Sequence, residues 1–186
     1  MVPLSSLLLP ILLSGVAVFI LSSVIHMVLP YHRSDFAGLP NENEVMDALR
    51  RGNAAPREYM FPHHGGGMEA LKDPAFVAKL ERGPIGTLIL SPGRTPSMAK
   101  PLSLWFIYTL VVSLFAAYIA SRALAPGADD KQIVRFIASV AFIGYVLAAW
   151  QSSIWYNRPV STNLKLTFDG LLYSLATAAV FCVMWP

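Results

Sequence analysis

The chain has 186 residues, 55% hydrophobic and only 13% charged, with a net charge of +3 and a mean hydropathy of +0.53. Soluble domains carry about 25% charged residues, so this is membrane composition, and so small and scattered a positive charge argues against a nucleic-acid partner. One cysteine, Cys182, excludes an internal disulfide framework and argues against a cysteine-based metal site.

Four apolar runs, 3–29, 102–124, 133–156 and 163–185, are near or above the ~20 residues that a helix needs to cross a bilayer. The first run has no Lys or Arg before it and no small-x-small cleavage site after it, which reads as a retained span rather than a signal peptide. Pro10 within it, followed by Ser14 and Gly15, predicts a kink. The run stops at Pro30, where a polar block over 30–100 begins.

That block has the grammar of a small α+β insert. Asn41 and Glu44 read as a capping box before a helix over about 42–51, with Val45, Ala48 and Leu49 on one face and a stop at Gly52. Asp73-Pro74 starts a second helix, ending at Gly83-Pro84 and burying Phe76, Val77 and Leu80. Segments 57–61 and 85–90 are rich in strand formers and predict a two-stranded pair. Such a sheet is marginal alone, so the insert is expected to lean on the bundle or on another protein.

The second and third runs are joined by 125–130 and the third and fourth by 157–162, turns short enough to force antiparallel hairpins. Ser161 or Thr162 is placed to cap the fourth helix. Small residues recur four apart (Ser113 and Ala117, Ala116 and Ala120, Gly144 and Ala148, then Gly170, Ser174 and Ala178), as in closely packed membrane helices. The expected architecture is an all-α membrane protein: span 1 over 1–29, an extramembrane α+β insert over 30–100, and spans 2–4 over 101–186, together a four-helix transmembrane bundle.

Eleven Lys and Arg lie on the insert side of that topology, nine of them in 30–100 together with Arg158 and Lys165. Arg122, Lys131 and Arg135 are the three opposite. The positive-inside rule favours a cytoplasmic insert, with Arg33, Arg94, Lys100, Arg158 and Lys165 nearest the span ends. Tyr31, Trp105, Tyr108, Trp150, Trp155 and Tyr156 gather on that side too, as an interfacial belt or as the wall of a pocket.

Asp169, about 10 Å into the fourth span at 1.5 Å per residue, is the sharpest candidate for chemistry. An ionisable group inside a span costs about 2.5–3.5 kcal/mol to insert, which makes it a functional hypothesis. Pairing with Lys165 or Arg158 near the helix N-terminus is the structural alternative. His26, Gln151 and Arg158 fall on the same membrane side, so a ligand or ion cluster of these with Asp169 is allowed. A second candidate set, for a divalent metal, is His32, His63 and His64 with Asp35. Gly65-Gly66-Gly67 lacks a phosphate-loop pattern, and no catalytic motif is present, so no cofactor is implied and an enzyme is not expected.

The stretch from His26 through Pro30, His32 and Asp35 to Phe36, with Leu39-Pro40-Asn41-Glu42 after it, resembles a family of small four-span bacterial membrane proteins without an assigned activity. Ser153-Ile154-Trp155, Asp169-Gly170-Leu171-Leu172-Tyr173 and Trp185-Pro186 share that resemblance. It implies a bacterial inner-membrane location and lends no catalytic residue. The expected role is a non-enzymatic accessory or assembly component of a membrane complex, with the bilayer and other subunits, or further copies of this chain, as partners. A small transporter or ion-handling protein using Asp169 is one alternative, and a metal-binding membrane protein built on His32, His63, His64 and Asp35 is another.

Overall fold

A computed structural model describes residues 1–93 and 95–186, Ala70 by its backbone alone. Arg94, counted above among the flanking cations, lies outside the described residues. Four helical segments are long and apolar enough to cross a membrane: Leu4–Met27, Ala99–Ala123, Asp130–Tyr156 and Val160–Met184. The chain divides into two compact units, one of residues 1–36 and 97–186 and the other of residues 37–96.

In the first unit, helices α1 (Leu8–Met27), α4 (Ala99–Ala123), α5 (Asp130–Val146) and α7 (Val160–Met184) form a ring. Helix α1 packs on α4 and α7, and α5 packs on the same two. The small residues explain how closely they pack. Ser113, Ala116, Ala117 and Ala120 on α4 and Ser174 and Ala178 on α7 are all buried. A Cβ at Gly170 would overlap the Val146 side chain, so only glycine lets α7 lie this near α5. The contact between α1 and α4 also has a polar component, with Ser14 Oγ donating to Ser113 Oγ at 2.9 Å.

Two core clusters divide the bundle along its length. One combines Leu7, Ile11, Ile133, Ile137 and Phe181 with the alanines of α4. The backbone closes this end, because Val2 N donates to Ser121 O at 3.0 Å and Gly127 N to Pro186 O at 2.6 Å. The other cluster is built on Val18, Ile25 and Tyr173, with Tyr31, Trp105 and Tyr145 packed against it.

Several local expectations are corrected. Pro10 does not kink a helix interior: a 3-10 turn, Leu4–Leu7, precedes α1, and Pro10 sits in the first turn, where its missing N–H costs nothing. The third span is not one continuous helix. It passes through a 3-10 turn, Leu147–Ala149, before α6 (Trp150–Tyr156). Asn163 Nδ2 donates to Ala149 O at 3.1 Å and to Ser153 Oγ at 2.6 Å, satisfying groups at that break. Neither Ser161 nor Thr162 caps α7, which starts after Pro159 without a side-chain cap.

The second unit contains α2 (Glu42–Arg51), β1 (Glu58–Phe61), α3 (Pro74–Arg82) and β2 (Gly86–Ile89). The strands pair antiparallel, Glu58 opposite Ile89 and Phe61 opposite Gly86. Asp73 caps α3 as expected, accepting from Ala75 N at 3.0 Å, but of Phe76, Val77 and Leu80 only Phe76 is buried, the other two being half-buried. The capping box at Asn41 does not form: Asn41 adopts a left-handed backbone, φ 54°, and its side chain makes no cap bond. The Val45, Ala48 and Leu49 stripe is also not a core, since no residue of α2 is buried.

Candidate functional site

The aromatic end of the bundle is organised around one buried carboxylate. Asp169 stands on the inner face of α7 and is 1% exposed. The backbone after α1 turns at Pro30 into a 3-10 turn, Pro30–Ser34, which directs two consecutive side chains at it. Tyr31 Oη donates to Asp169 Oδ1. His32 Nε2 bonds Asp169 Oδ2 at 2.8 Å, and the other ring nitrogen, Nδ1, bonds Asp35 Oδ2 at 2.6 Å. Asp35 Oδ1 in turn accepts from Lys165 Nζ at 2.6 Å. Lys165 also donates to Tyr31 O at 2.6 Å and to Ser34 Oγ at 2.9 Å.

The result is a continuous chain, Tyr31–Asp169–His32–Asp35–Lys165. Ionised carboxylates only accept, so with both ionised each nitrogen of His32 must donate. Two carboxylates then face an imidazolium and an ammonium, a balanced set that offsets the desolvation cost of burying charge. Burial works to raise the Asp35 carboxyl, but hydrogen bonds from Lys165 and His32 outweigh it and hold the group below its ordinary range. Burial, reinforced by the Asp169 carboxylate that accepts from it, pushes the Tyr31 phenol above its usual range.

Beside this chain lies a cavity of about 550 Å³, whose lining is mostly apolar. Trp105, Tyr108, Tyr145 and Tyr173 form its aromatic wall. Tyr173 meets Trp105 and Tyr145 edge to face, with centroids 6.0 and 5.5 Å apart, and Trp105 stacks on Tyr108 at 5.7 Å. Met27, Met98, Leu102 and Leu166 complete the apolar part. Ser22, Ser23, His26 and Asp169 bring polar atoms to the lining, and Trp105 Nε1 donates to Ser22 Oγ at 2.8 Å. His26 is tied down least: its ring lies against His32 with centroids 4.4 Å apart, and its Nε2 has only a 3.4 Å contact with Tyr173 Oη.

The two candidate sets read from sequence are redistributed. His26 and Asp169 join His32 and Asp35 in one cluster within the first unit. Gln151 is exposed and forms no side-chain hydrogen bond among the described residues. Arg158 forms no ion pair among the described residues; its backbone N–H donates to Ser152 O at 3.2 Å. Of the two partners expected for Asp169, neither Lys165 nor Arg158 pairs with it: Lys165 bonds Asp35, and His32 takes Asp169. His63 and His64 belong to the second unit, their rings stacked 5.6 Å apart, and their Nδ1 atoms accept from Gly65 N and Gly66 N. Of the aromatics expected to form a belt or a pocket wall, Trp105 and Tyr108 line the cavity and Tyr31 instead bonds Asp169, while Tyr145 and Tyr173 carry no such expectation from sequence. The i, i+4 series Lys165, Asp169, Tyr173 along α7 was the available signal.

No family model, curated protein or solved structure matches the chain.

The network predicts an order of stabilities. Asp169→Ala leaves His32 without its buried partner and should cost about 3 kcal/mol. Lys165→Met removes a partner that is one-quarter exposed, and should cost nearer to 1 kcal/mol. Unfolding of purified protein in mixed micelles measures both; a Lys165 variant less stable than the Asp169 variant would contradict this ranking.

Proposed function

We propose that this protein is a multi-pass integral membrane protein of the bacterial inner membrane that holds a lipid-soluble molecule in the aromatic cavity. The single observation carrying this reading is the cavity itself. Its volume of about 550 Å³ falls within the range of small-molecule sites, and its lining is mostly apolar with a few polar groups. The occupant it suits has an apolar body against Trp105, Leu102 and Leu166 and a polar head at His26 and Asp169. A holding role fits a chain without catalytic motifs, and the four apolar helices support the membrane assignment. The inner-membrane location rests on the family resemblance. The insert is assigned to the cytoplasmic side on the excess of Lys and Arg flanking that end of the spans.

A second reading, an accessory component of a membrane complex, is favoured by the insert. Among its described residues only Phe76 is a buried hydrophobic, while Met68 and Ile89 are each about three-quarters exposed, so a partner surface would supply the burial that the unit lacks.

Three experiments check these assignments. A diazirine-bearing fatty acid, photoactivated in membranes, should label cavity residues such as Met98 and Leu166, and Leu102→Trp should suppress that labelling. Labelling confined to outward positions such as Ile107 and Leu175 would remove the cavity reading. For sidedness, Ser91→Cys in a Cys182→Ser background should resist a membrane-impermeant maleimide in intact cells; ready modification would reverse the topology. Crosslinking through the insert before mild detergent extraction should recover a defined partner, and recovery of uncrosslinked monomer alone would count against the accessory role.

A further inference from the structure

We infer that His26, His32 and Asp169 form a binding site for a first-row divalent transition ion such as zinc or ferrous iron. Each contributes one donor atom, and the three donors lie within 4.8 Å of one another. Two imidazoles and one carboxylate are a donor set that suits these ions and does not suit magnesium or calcium, which take oxygen ligands. The donors come from three places in the chain, the last turn of α1, the 3-10 turn after it and the middle of α7, so the fold assembles the set and local sequence does not.

The surroundings have features of a metal centre that a plain ion pair does not require. His32 Nδ1 is held by Asp35 at 2.6 Å, which orients the ring with Nε2 toward Asp169. This carboxylate–histidine arrangement is the usual outer support of a metal-bound imidazole. Lys165 in turn holds Asp35 from the far side and offsets its charge. His26 is the informative member, because the ion-pair chain is complete without it. Its ring is parked against His32 at 4.4 Å, its Nε2 has only the long contact with Tyr173 among the described residues, and the cavity lies beside it. Donors around a tetrahedral ion stand about 3.4 Å apart for bonds of ~2.1 Å, so the His32 Nε2–Asp169 Oδ2 pair, 2.8 Å apart, opens slightly and the His26 ring swings in to complete the set. The cation takes the place of the Nε2 proton of His32, and Tyr31 remains a hydrogen-bond donor to the carboxylate. Three protein donors leave at least one coordination position for water or for an oxygen of a cavity ligand. The metal assignment stands independently of whether the cavity holds a lipid-soluble molecule.

The test uses tag-free full-length protein, stripped with a chelator in detergent and titrated with Co²⁺, whose visible absorption reports coordination, followed by competition with Zn²⁺. One equivalent should bind, with ligand-field bands that zinc abolishes. His26→Ala should weaken binding at least tenfold while leaving thermal stability of the metal-free protein unchanged, since the Tyr31–Asp169–His32–Asp35–Lys165 chain survives. Asp35→Asn, which touches no metal, should weaken it by about 10–100-fold. His63→Ala combined with His64→Ala should change nothing. Absence of a stoichiometric cobalt spectrum would overturn the proposal. So would binding lost with the His63/His64 pair, or binding indifferent to His26→Ala.

Discussion

Asp169 is a carboxylate at the buried face of a helix with no reason to be there unless something meets it. Leaving it unpaired among apolar helices would cost several kcal/mol, and the structure resolves this by bringing the 30–36 segment down onto α7. Tyr31 and His32 take one carboxylate oxygen each. Lys165, one helical turn before Asp169, fastens the same segment through Tyr31 O, Ser34 and Asp35. The segment thus becomes part of the bundle: the compact unit that includes α1 runs to Phe36 and not to the end of the apolar run.

This constraint divides the bundle into two ends with different chemistry. At one end alanines, Ile133, Ile137 and Phe181 pack as an apolar cluster, and the backbone at 2, 127 and 186 closes the structure. At the other, large rings replace alanines. Trp105, Tyr145 and Tyr173 are too wide to interdigitate as small residues do, and the space between them is the cavity. The break in the third span lies near this end, where Asn163 and Thr167 of α7 reach Ala149 O and Trp150 Nε1. Polar atoms here serve helix-to-helix bonding as well as the site, so the same residues set both packing and chemistry.

His26 shows how such a network separates into structural and available parts. Tyr31, His32, Asp35, Asp169 and Lys165 are mutually saturated, and each fixes the position of the next. His26 adds nothing to that saturation, yet its imidazole lines the cavity beside the closed chain. A group in that position can meet a ligand or a cation without dismantling the fold, which is why the cavity reading and the metal site converge on it.

Amino-acid order by itself determined the four apolar helices, their turns, the insert with its two helices and strand pair, and the Asp73 cap, because hydropathy, proline and glycine act over a few residues. It also marked Asp169 as anomalous, since a charge in an apolar run stands out without any structure. It misread the capping box at Asn41 and the α2 stripe, where local pattern exists but no neighbouring surface buries it. The partners of Asp169 were decided only in three dimensions. Lys165 lies four residues away and is the obvious choice from sequence, but Tyr31 and His32, almost 140 residues distant, displace it once the Pro30 turn places them on α7. One histidine and one carboxylate from each candidate set, His26 with Asp169 and His32 with Asp35, became one cluster for the same reason: charge pairing in a low-dielectric bundle is settled by which groups packing brings into contact, and separation along the chain carries little information about that.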